Sequence, residues 1–422
     1  GEPPSALRGP AGFVPVRVPQ DSADGTEPGW QRRPFDPELD TNHRILAARP
    51  GLLESLAPTR WERAAPGPGQ VEIEIAAAGL NFSDVLKAMG AYPGATGSAP
   101  LGVECAGRVS AVGAGVGRFR VGDRVMAVAP SALAAYATTE AHLVAPRPAA
   151  LDDERAAAVP VAFLTAVYGL VELARLRAGE TVLIHSASGG VGLAALAVAR
   201  SRGARVFATA GTPEKRRFLR ELGGVERVMD SRSPAFAEQV AEATAGRGVD
   251  VVLNSLTGEA LRRGLALLAP GGRFVELGKR DVFDDNPVGL GHFKGNRALF
   301  VVDLDHAFHA RPELLAELFA EVVRGFDSGE FGPLPVTVHP FGEAREAFAA
   351  MARARHLGKL VLRPEPVPEI AVPPSPAVVR AGRAGYLVTG GTTPAALAAA
   401  GRLAELGARR IALVRSPGAD GG

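Results

Sequence analysis

The most constraining stretch of the chain is Thr181-Val182-Leu183-Ile184-His185-Ser186-Ala187-Ser188-Gly189-Gly190-Val191-Gly192-Leu193-Ala194-Ala195-Leu196. Four apolar or β-branched residues run into glycines, and a small-residue helical pattern follows at once. This is the pattern of a buried strand, a tight turn and a helix start. Glycines let a backbone approach a pyrophosphate, and a helix N-terminus presents unpaired N–H groups to it. Ser188, Gly189, Gly190, Val191 and Gly192 are therefore candidate phosphate contacts. The spacing departs from the strict G-x-G-x-x-G, so a plain strand-to-helix turn remains an alternative at this level.

What surrounds this turn narrows the fold. From residue 181 to about 305 the pattern alternates, with strands expected at 182–185, 205–210, 227–230, 249–254, 273–277 and 298–304. Helices are expected at 192–202, 213–222, 234–244 and 258–268. That succession predicts an α/β fold with a doubly wound parallel sheet of the Rossmann kind. Upstream, short glycine-punctuated strand patterns at 71–76, 102–113 and 121–128 predict a small antiparallel barrel or sandwich. A helix at 156–176, carrying Thr165, joins the two parts. Downstream, the helix at 343–353 and the strands at 336–338 and 359–362 are read as returning to the β-rich part. The nucleotide unit then becomes an insertion: 43–165 and 330–363 form one domain, and 166–329 the other.

Residues 1–42 read as a linker with one strand-like run at 13–18, and 364–384 as a stiff proline-rich linker. Residues 385–422 hold one strand–turn–helix–strand unit, too small to bury a core alone. Gly1-Glu2-Pro3-Pro4 and Asp420-Gly421-Gly422 are expected to be cuts in a longer polypeptide.

Composition removes several function classes. Lys plus Arg exceed Asp plus Glu by 47 − 45 = 2, too near balance for a nucleic-acid or anionic-membrane binder. The single cysteine, Cys105, forbids an intrachain disulfide and fits a reducing compartment, hence the cytoplasm. The eight histidines form no His-x-x-x-His pair, and no metal is expected. No G-x-S-x-G elbow occurs, which argues against a serine hydrolase.

The cofactor type follows from the second strand of the unit. Phe207-Ala208-Thr209-Ala210-Gly211-Thr212 lacks the acid that an NAD-preferring domain often places there for the ribose 2′-OH. Thr209 and Thr212 offer hydroxyls instead, and Lys215, Arg216 and Arg217 follow. Cations at a helix start gain nothing from the helix dipole. They point to a 2′-phosphate and so to NADPH, with Arg232 as a further candidate. Asn254-Ser255-Leu256 and Gly278-Lys279 end the fourth and fifth strands, where open α/β sheets bind ligands. Asp303 and Asp305 lie in or after the sixth strand, and an acid there would be relieved by pairing with Lys279. Strand alternation puts both acids on one side, so the choice between them stays open.

These motifs together resemble the enoyl reductase domain of type I polyketide synthases and animal-type fatty acid synthases. The resemblance runs from about residue 43 to 363. It rests on Gly79-Leu80-Asn81-Phe82-Ser83-Asp84-Val85-Leu86, Tyr92-Pro93-Gly94, Gly102-Val103-Glu104-Cys105-Ala106-Gly107, Val121-Gly122-Asp123-Arg124-Val125, the glycine-rich turn, Asn254-Ser255-Leu256, Gly278-Lys279-Arg280-Asp281, and Asn296 followed by Val302-Asp303-Leu304. The family comprises zinc-free medium-chain dehydrogenases/reductases, and the resemblance implies a GroES-like fold for the β-rich domain. It implies hydride transfer from NADPH to the β-carbon of a trans-2-enoyl thioester on an acyl carrier protein, then protonation at the α-carbon. Lys279 and Asp303 match the family's proposed proton donor and partner, and Thr165 its nicotinamide carboxamide contact. Asn81, Leu86 and Tyr92 fall at the substrate pocket.

Two departures stand out. Leu86 occupies a position where some modular members carry a Tyr linked to the stereochemistry of α-protonation. Ser83 replaces the usual Arg. The tail Gly385-Tyr386-Leu387-Val388-Thr389-Gly390-Gly391 resembles the opening of a ketoreductase, but continues as Thr392-Thr393-Pro394 where glycines are usual. The resemblance further implies neighbouring megasynthase domains, a ketoreductase and a dehydratase among them, and a homodimer. The alternatives are a free-standing NADPH quinone oxidoreductase of the same fold, or a structural domain without catalysis.

Overall fold

The computed structural model describes residues 31–92, 99–364, 367, 369–372, 385–389, 393–405 and 407–414. The run at 13–18, Pro93-Gly94, most of 364–384 and Gly390-Gly391-Thr392 lie outside the described residues. The chain divides into two compact units, 34–370 and 1–33 with 371–422.

In the first unit, residues 181–301 build a six-stranded sheet, parallel at every pairing. Its strand order across the sheet is Arg227–Asp230, Arg205–Ala210, Thr181–Ile184, Val249–Asn254, Leu268–Glu276, Ala298–Val301. In chain order that is 3-2-1-4-5-6, so the order reverses beside the strand that feeds the glycine-rich turn. Strand alternation makes both faces apolar. Val182 and Ile184 join one core with Val251, Leu253 and Val275, while Leu183 joins another with Phe207, Val252 and Phe274. All of these residues are at most 1% exposed, and each contributes about 1.5–3 kcal/mol by leaving water. Asp250 interrupts the apolar run, but its carboxylate accepts from Thr181 N at 2.9 Å and pairs with Arg247 at 2.6 Å.

The β-rich part is a seven-stranded sheet centred on Gln70–Gly79, which pairs with Glu104–Val112, Tyr136–Glu140 and Lys359–Arg363. Val336–Pro340 adds to Lys359–Arg363 in parallel. Strands from both ends of the sequence thus share one sheet around the α/β segment. Cys105 is buried there in an apolar core, and burial pushes its thiol up to about 12, so it is inert packing.

Two elements differ from the pattern-based expectation. The helix expected at 156–176 is broken into Asp153–Ala156, Pro160–Val167 and a wider π turn over Tyr168–Leu173. A Cβ at Gly169 would sit 3.1 Å from Val275 Cγ1, so the turn packs tightly on the sheet there. The stretch Asp153–Leu173 is long and apolar enough to pass for a membrane span, yet 72% of its most apolar window is buried inside the protein. The sixth strand ends at Val301 rather than 304, because Asp303 caps the helix Leu304–Ala310.

In the second unit, Tyr386–Thr389 and Ile411–Val414 pair in parallel, joined through the helix Pro394–Glu405.

Candidate active site

The carboxyl ends of four parallel strands bring the candidate residues to one edge of the sheet. At the first, the glycines divide their tasks. A Cβ at Gly192 would lie 2.5 Å from Ala187 Cα, and one at Gly190 would lie 2.4 Å from Lys359 Cδ. Both glycines are therefore needed for packing. Gly189 has no atom nearer than 3.5 Å and remains open for close approach of a ligand. Ser186, at φ 52°, makes the left-handed step that aims the turn, and its hydroxyl accepts from Ser255 Oγ at 3.0 Å. The cradle is thus formed without a ligand, and the helix Gly190–Ser201 opens onto it.

Several expected contacts turn out to support the site from behind. Thr209 is fully buried, and its hydroxyl is taken by His185 Nδ1 at 3.0 Å. This contact ties the first and second strands together at their carboxyl ends. Burial lowers His185 to about 4, so the ring is neutral. Asn254 is likewise fully buried. Its amide bonds Leu256 O at 2.7 Å and Glu276 Oε2 at 2.6 Å, and its oxygen accepts from Leu256 N at 3.2 Å. This folds the Ser255-Leu256 loop into shape. Glu276, which pattern reading missed, also accepts from Gly278 N at 2.5 Å, and burial raises it to about 7. Its signal was an acid closing an apolar strand, as at Asp303.

On the ribose side, Thr212 caps the helix Pro213–Leu222 by accepting from Lys215 N at 3.3 Å. Arg216 pairs with Asp230 at 2.9 Å and donates to Ala210 O, and Arg217 pairs with Glu221. Of the three bases, Lys215 is the one whose field is cationic: burial, then the charge of Arg232, lowers its pKa. Among the described residues, Lys215 Nζ bonds a backbone oxygen, Ala354 O at 2.7 Å, and no carboxylate. Lys215 and Arg232 make a place for an anion, so the residues present fit a phosphorylated ribose. Thr165 is nearly buried, with its hydroxyl on Val161 O at 2.6 Å.

At the fifth strand end, Lys279 donates to Asp305 Oδ2 at 2.7 Å and to Tyr92 OH at 2.9 Å. Tyr92 OH donates to the same Asp305 oxygen at 2.9 Å. Asp303 stands farther off, 3.7 Å from the ammonium, with its carboxylate also capping His306 N at 3.3 Å. Of the two acids left open by strand alternation, Asp305 is the nearer, because the chain has turned into a helix before reaching it. Burial opposes the charge on Lys279, but the bonds to Asp305 and Tyr92 outweigh it and hold the ammonium above the usual lysine range. Burial pushes the Tyr92 phenol up, against the bond from Lys279. The cluster is a protonated cation and a protonated phenol beside a carboxylate. Leu86 lies in the helix Phe82–Ala88, which Asn81 caps, and Tyr92 follows shortly after that helix ends. Among the described residues, no three His, Cys, Asp or Glu side chains come together to hold a metal.

A β-rich domain with an inserted, doubly wound nucleotide sheet and a glycine-rich turn defines the medium-chain dehydrogenase/reductase class, a nicotinamide-dependent oxidoreductase fold. Comparison with known proteins agrees. Residues 67–149 match the alcohol dehydrogenase GroES-like domain, and 223–362 match the zinc-binding dehydrogenase domain. The crystal structure of CurK enoyl reductase is similar, with TM-score 0.71 and 39% identity, covering 77% of this chain and 99% of that one. JamJ enoyl reductase in its apo form has TM-score 0.71 and 34% identity, covering 76% and 99%. The chain belongs to the polyketide enoyl reductases. Among curated relatives, the phthioceranic/hydroxyphthioceranic acid synthase of Mycobacterium bovis is 46% identical over 378 residues, 88% of this chain and 18% of the relative. The mycocerosic acid synthase-like polyketide synthase of Mycolicibacterium smegmatis is 45% identical over 376 residues, 87% of this chain and 18% of the relative. The chain thus spans less than a fifth of the length of these synthases.

Proposed function

We propose that this chain reduces the α,β double bond of a trans-2-enoyl thioester carried on the phosphopantetheine arm of an acyl carrier protein, with NADPH as reductant. The observation that carries the reading is the Lys279–Tyr92–Asp305 cluster at the same sheet edge as the glycine-rich turn. Bound NADPH supplies a hydride to the β-carbon. The chain's residues then meet negative charge developing on the thioester oxygen and deliver a proton to the α-carbon. Lys279, with Asp305 and Asp303 holding its charge, fits that role.

Gly189 with the backbone of Ser188, Gly190, Val191 and Gly192 would cradle the pyrophosphate. Ser255, Leu256, Gly278 and Thr165 would line the nicotinamide, and Lys215 with Arg232 and Thr212 the 2′-phosphate. A similar mycobacterial structure, with TM-score 0.69 and 30% identity, is a complex with NADPH, which supports this choice of cofactor. Asn81, Leu86 and Tyr92 would wall the acyl site. Leu86 brings no hydroxyl, so α-protonation of a branched substrate is assigned the configuration opposite to that of Tyr-bearing members.

We assign 43–165 with 330–363 to the substrate domain, 166–329 to the cofactor domain, and 385–422 to the start of a ketoreductase-like segment. Within a longer polypeptide the partners would be the carrier protein and the ketoreductase and dehydratase domains, as a homodimer in the cytoplasm. The test is loss of nicotinamide absorbance with NADPH and crotonyl thioester, free or carrier-bound. Turnover supports the reading. No turnover on either form overturns it, and fast quinone reduction in its place would select the quinone oxidoreductase alternative.

A further inference from the structure

Lys359 opens the strand Lys359–Arg363 and is 4% exposed, and its partner Glu104 is fully buried. The ammonium donates to Glu104 Oε1, to Asn81 Oδ1 at 2.8 Å and to Leu80 O at 3.1 Å, which satisfies all three of its protons. Asn81 Nδ2 donates to the same Glu104 oxygen at 2.7 Å. Glu104 Oε2 accepts from Val161 N at 2.7 Å. A buried ion pair is weak evidence for stability, because an apolar pair of similar volume often does as well. Its presence calls for another reason.

The reason lies in what the three groups touch. Asn81 caps the helix that carries Leu86, and its own amide donates to Asp84 Oδ2 at 2.9 Å. Val161, whose N–H Glu104 holds, offers its carbonyl to the Thr165 hydroxyl one turn later. The stem of Lys359 lies where a Cβ of Gly190 would be, and Gly358 N donates to Ser188 O at 2.9 Å. One closed network therefore joins the proposed acyl wall, the proposed nicotinamide contact and the phosphate turn. These come from three separate stretches of the sequence.

We propose that Lys359, through its pair with Glu104, is a positioning residue that sets the distance between the nicotinamide and the acyl site. This rests on the enoyl reductase reading. It differs from a purely structural role in what it predicts. Charge removal from both partners leaves a folded protein that binds NADPH but holds it in the wrong place.

The test compares the double variant Lys359→Met/Glu104→Gln with the parent chain, using NADPH and NADPH deuterated at the transferred position. The expected result is normal folding by circular dichroism and an NADPH Kd within about threefold. Turnover of crotonyl thioester should fall at least about tenfold, the isotope effect should rise, and the fluorescence of bound NADPH should change. A folded double variant with kcat, isotope effect and bound-NADPH fluorescence all unchanged overturns the proposal. Should the double variant not fold, Glu104→Asp, which keeps both charges and both acceptor oxygens but shortens the link by one methylene, is read in the same way. A parent chain that binds NADPH without reducing the thioester defeats the enoyl reductase reading instead. The fluorescence comparison then still decides whether the pair places the nicotinamide.

Discussion

The two sides of the crevice are built by opposite means. On the cofactor side, Thr209, Asn254, Glu276 and the turn at 185–192 lie within one continuous α/β segment, where Thr209 bonds His185 and Glu276 bonds Asn254 and Gly278 N. On the substrate side, the Lys279 side chain is 27% exposed and those of Asp303 and Asp305 are 56% and 58% exposed. Tyr92 reaches Lys279 from 187 residues away in the chain. The cofactor side specifies shape, with no room for an added methyl at Gly192. The substrate side specifies charge, with room around it. Changes of volume and changes of charge should therefore divide between the two.

The largest effect is expected from charge on the substrate side. Lys279→Met should lower kcat by up to about a hundredfold, the range of a general acid, while stability changes little. Asp305→Asn and Tyr92→Phe should each cost less, since each removes one of two bonds to the ammonium. Single-turnover kinetics checks the order. A Lys279→Met rate equal to the parent's would make water the donor and reduce the substrate side to a shape.

Volume on the cofactor side comes next. Gly192→Ala forces a methyl against Ala187 backbone and should cost about 1–3 kcal/mol in urea unfolding. Gly189→Ala meets nothing closer than ordinary contact, Ser186 O at 3.5 Å, and should leave stability unchanged while weakening NADPH binding. Equal losses of stability at both positions would show that the turn has no open place for a ligand.

This division also explains what could be read from sequence. Hydrophobic runs bounded by glycine are local, so the turn was legible from 181–196 and the parallel sheet from the alternation over 181–305. The return of 336–363 to the β-rich sheet was legible only as an expectation, and the pairing of Lys359–Arg363 with Gln70–Gly79 makes it concrete. The polar geometry was not legible. Thr209 drew attention as a hydroxyl at the second strand's end where an acid is missing, and its bond to a histidine 24 residues earlier had no signal in the sequence. Asp305 could not be separated from Asp303 because alternation holds only while the strand lasts, and it stops at Val301. The Tyr92–Lys279 bond depends on how two distant segments pack, which no local pattern encodes.

Lys215 tests whether charge matters on the cofactor side at all. Lys215→Ala should raise the NADPH Kd about tenfold and the NADH Kd much less, consistent with the loss of one charge-assisted hydrogen bond. Titration by nicotinamide fluorescence distinguishes the two. Equal changes would remove the 2′-phosphate from this place.

Smaller effects come from protons buried behind the crevice, and their signs differ. Glu276 is raised from 4.5 to about 7, so the folded state holds its proton more tightly than the unfolded one. The stability it contributes is present below about pH 4.5 and is lost as pH rises through 7. His185 is lowered from 6.5 to about 4, so its contribution is present above 6.5 and is lost as pH falls through 4. Glu276→Gln should flatten the decline in stability between pH 4.5 and 7 seen in urea titrations. A slope identical to the parent's would mean that Glu276 is ionised in the folded protein.

The smallest effect separates the two acids. Asp303 keeps its carboxylate 3.7 Å from Lys279 and spends one oxygen on the His306 amide. Asparagine caps a helix about as well as aspartate, so Asp303→Asn should leave the Leu304–Ala310 helix intact. What it removes is one exposed charge beside the ammonium, worth no more than about 1 kcal/mol. Its rate should therefore stay within about fivefold of the parent's, whereas Asp305→Asn, at 2.7 Å and shared with Tyr92, should fall further. If Asp303→Asn proved the slower of the two, Asp303 would have to move onto Lys279 when substrate binds. The substrate side would then be shaped by its ligand, where the cofactor side is shaped in advance.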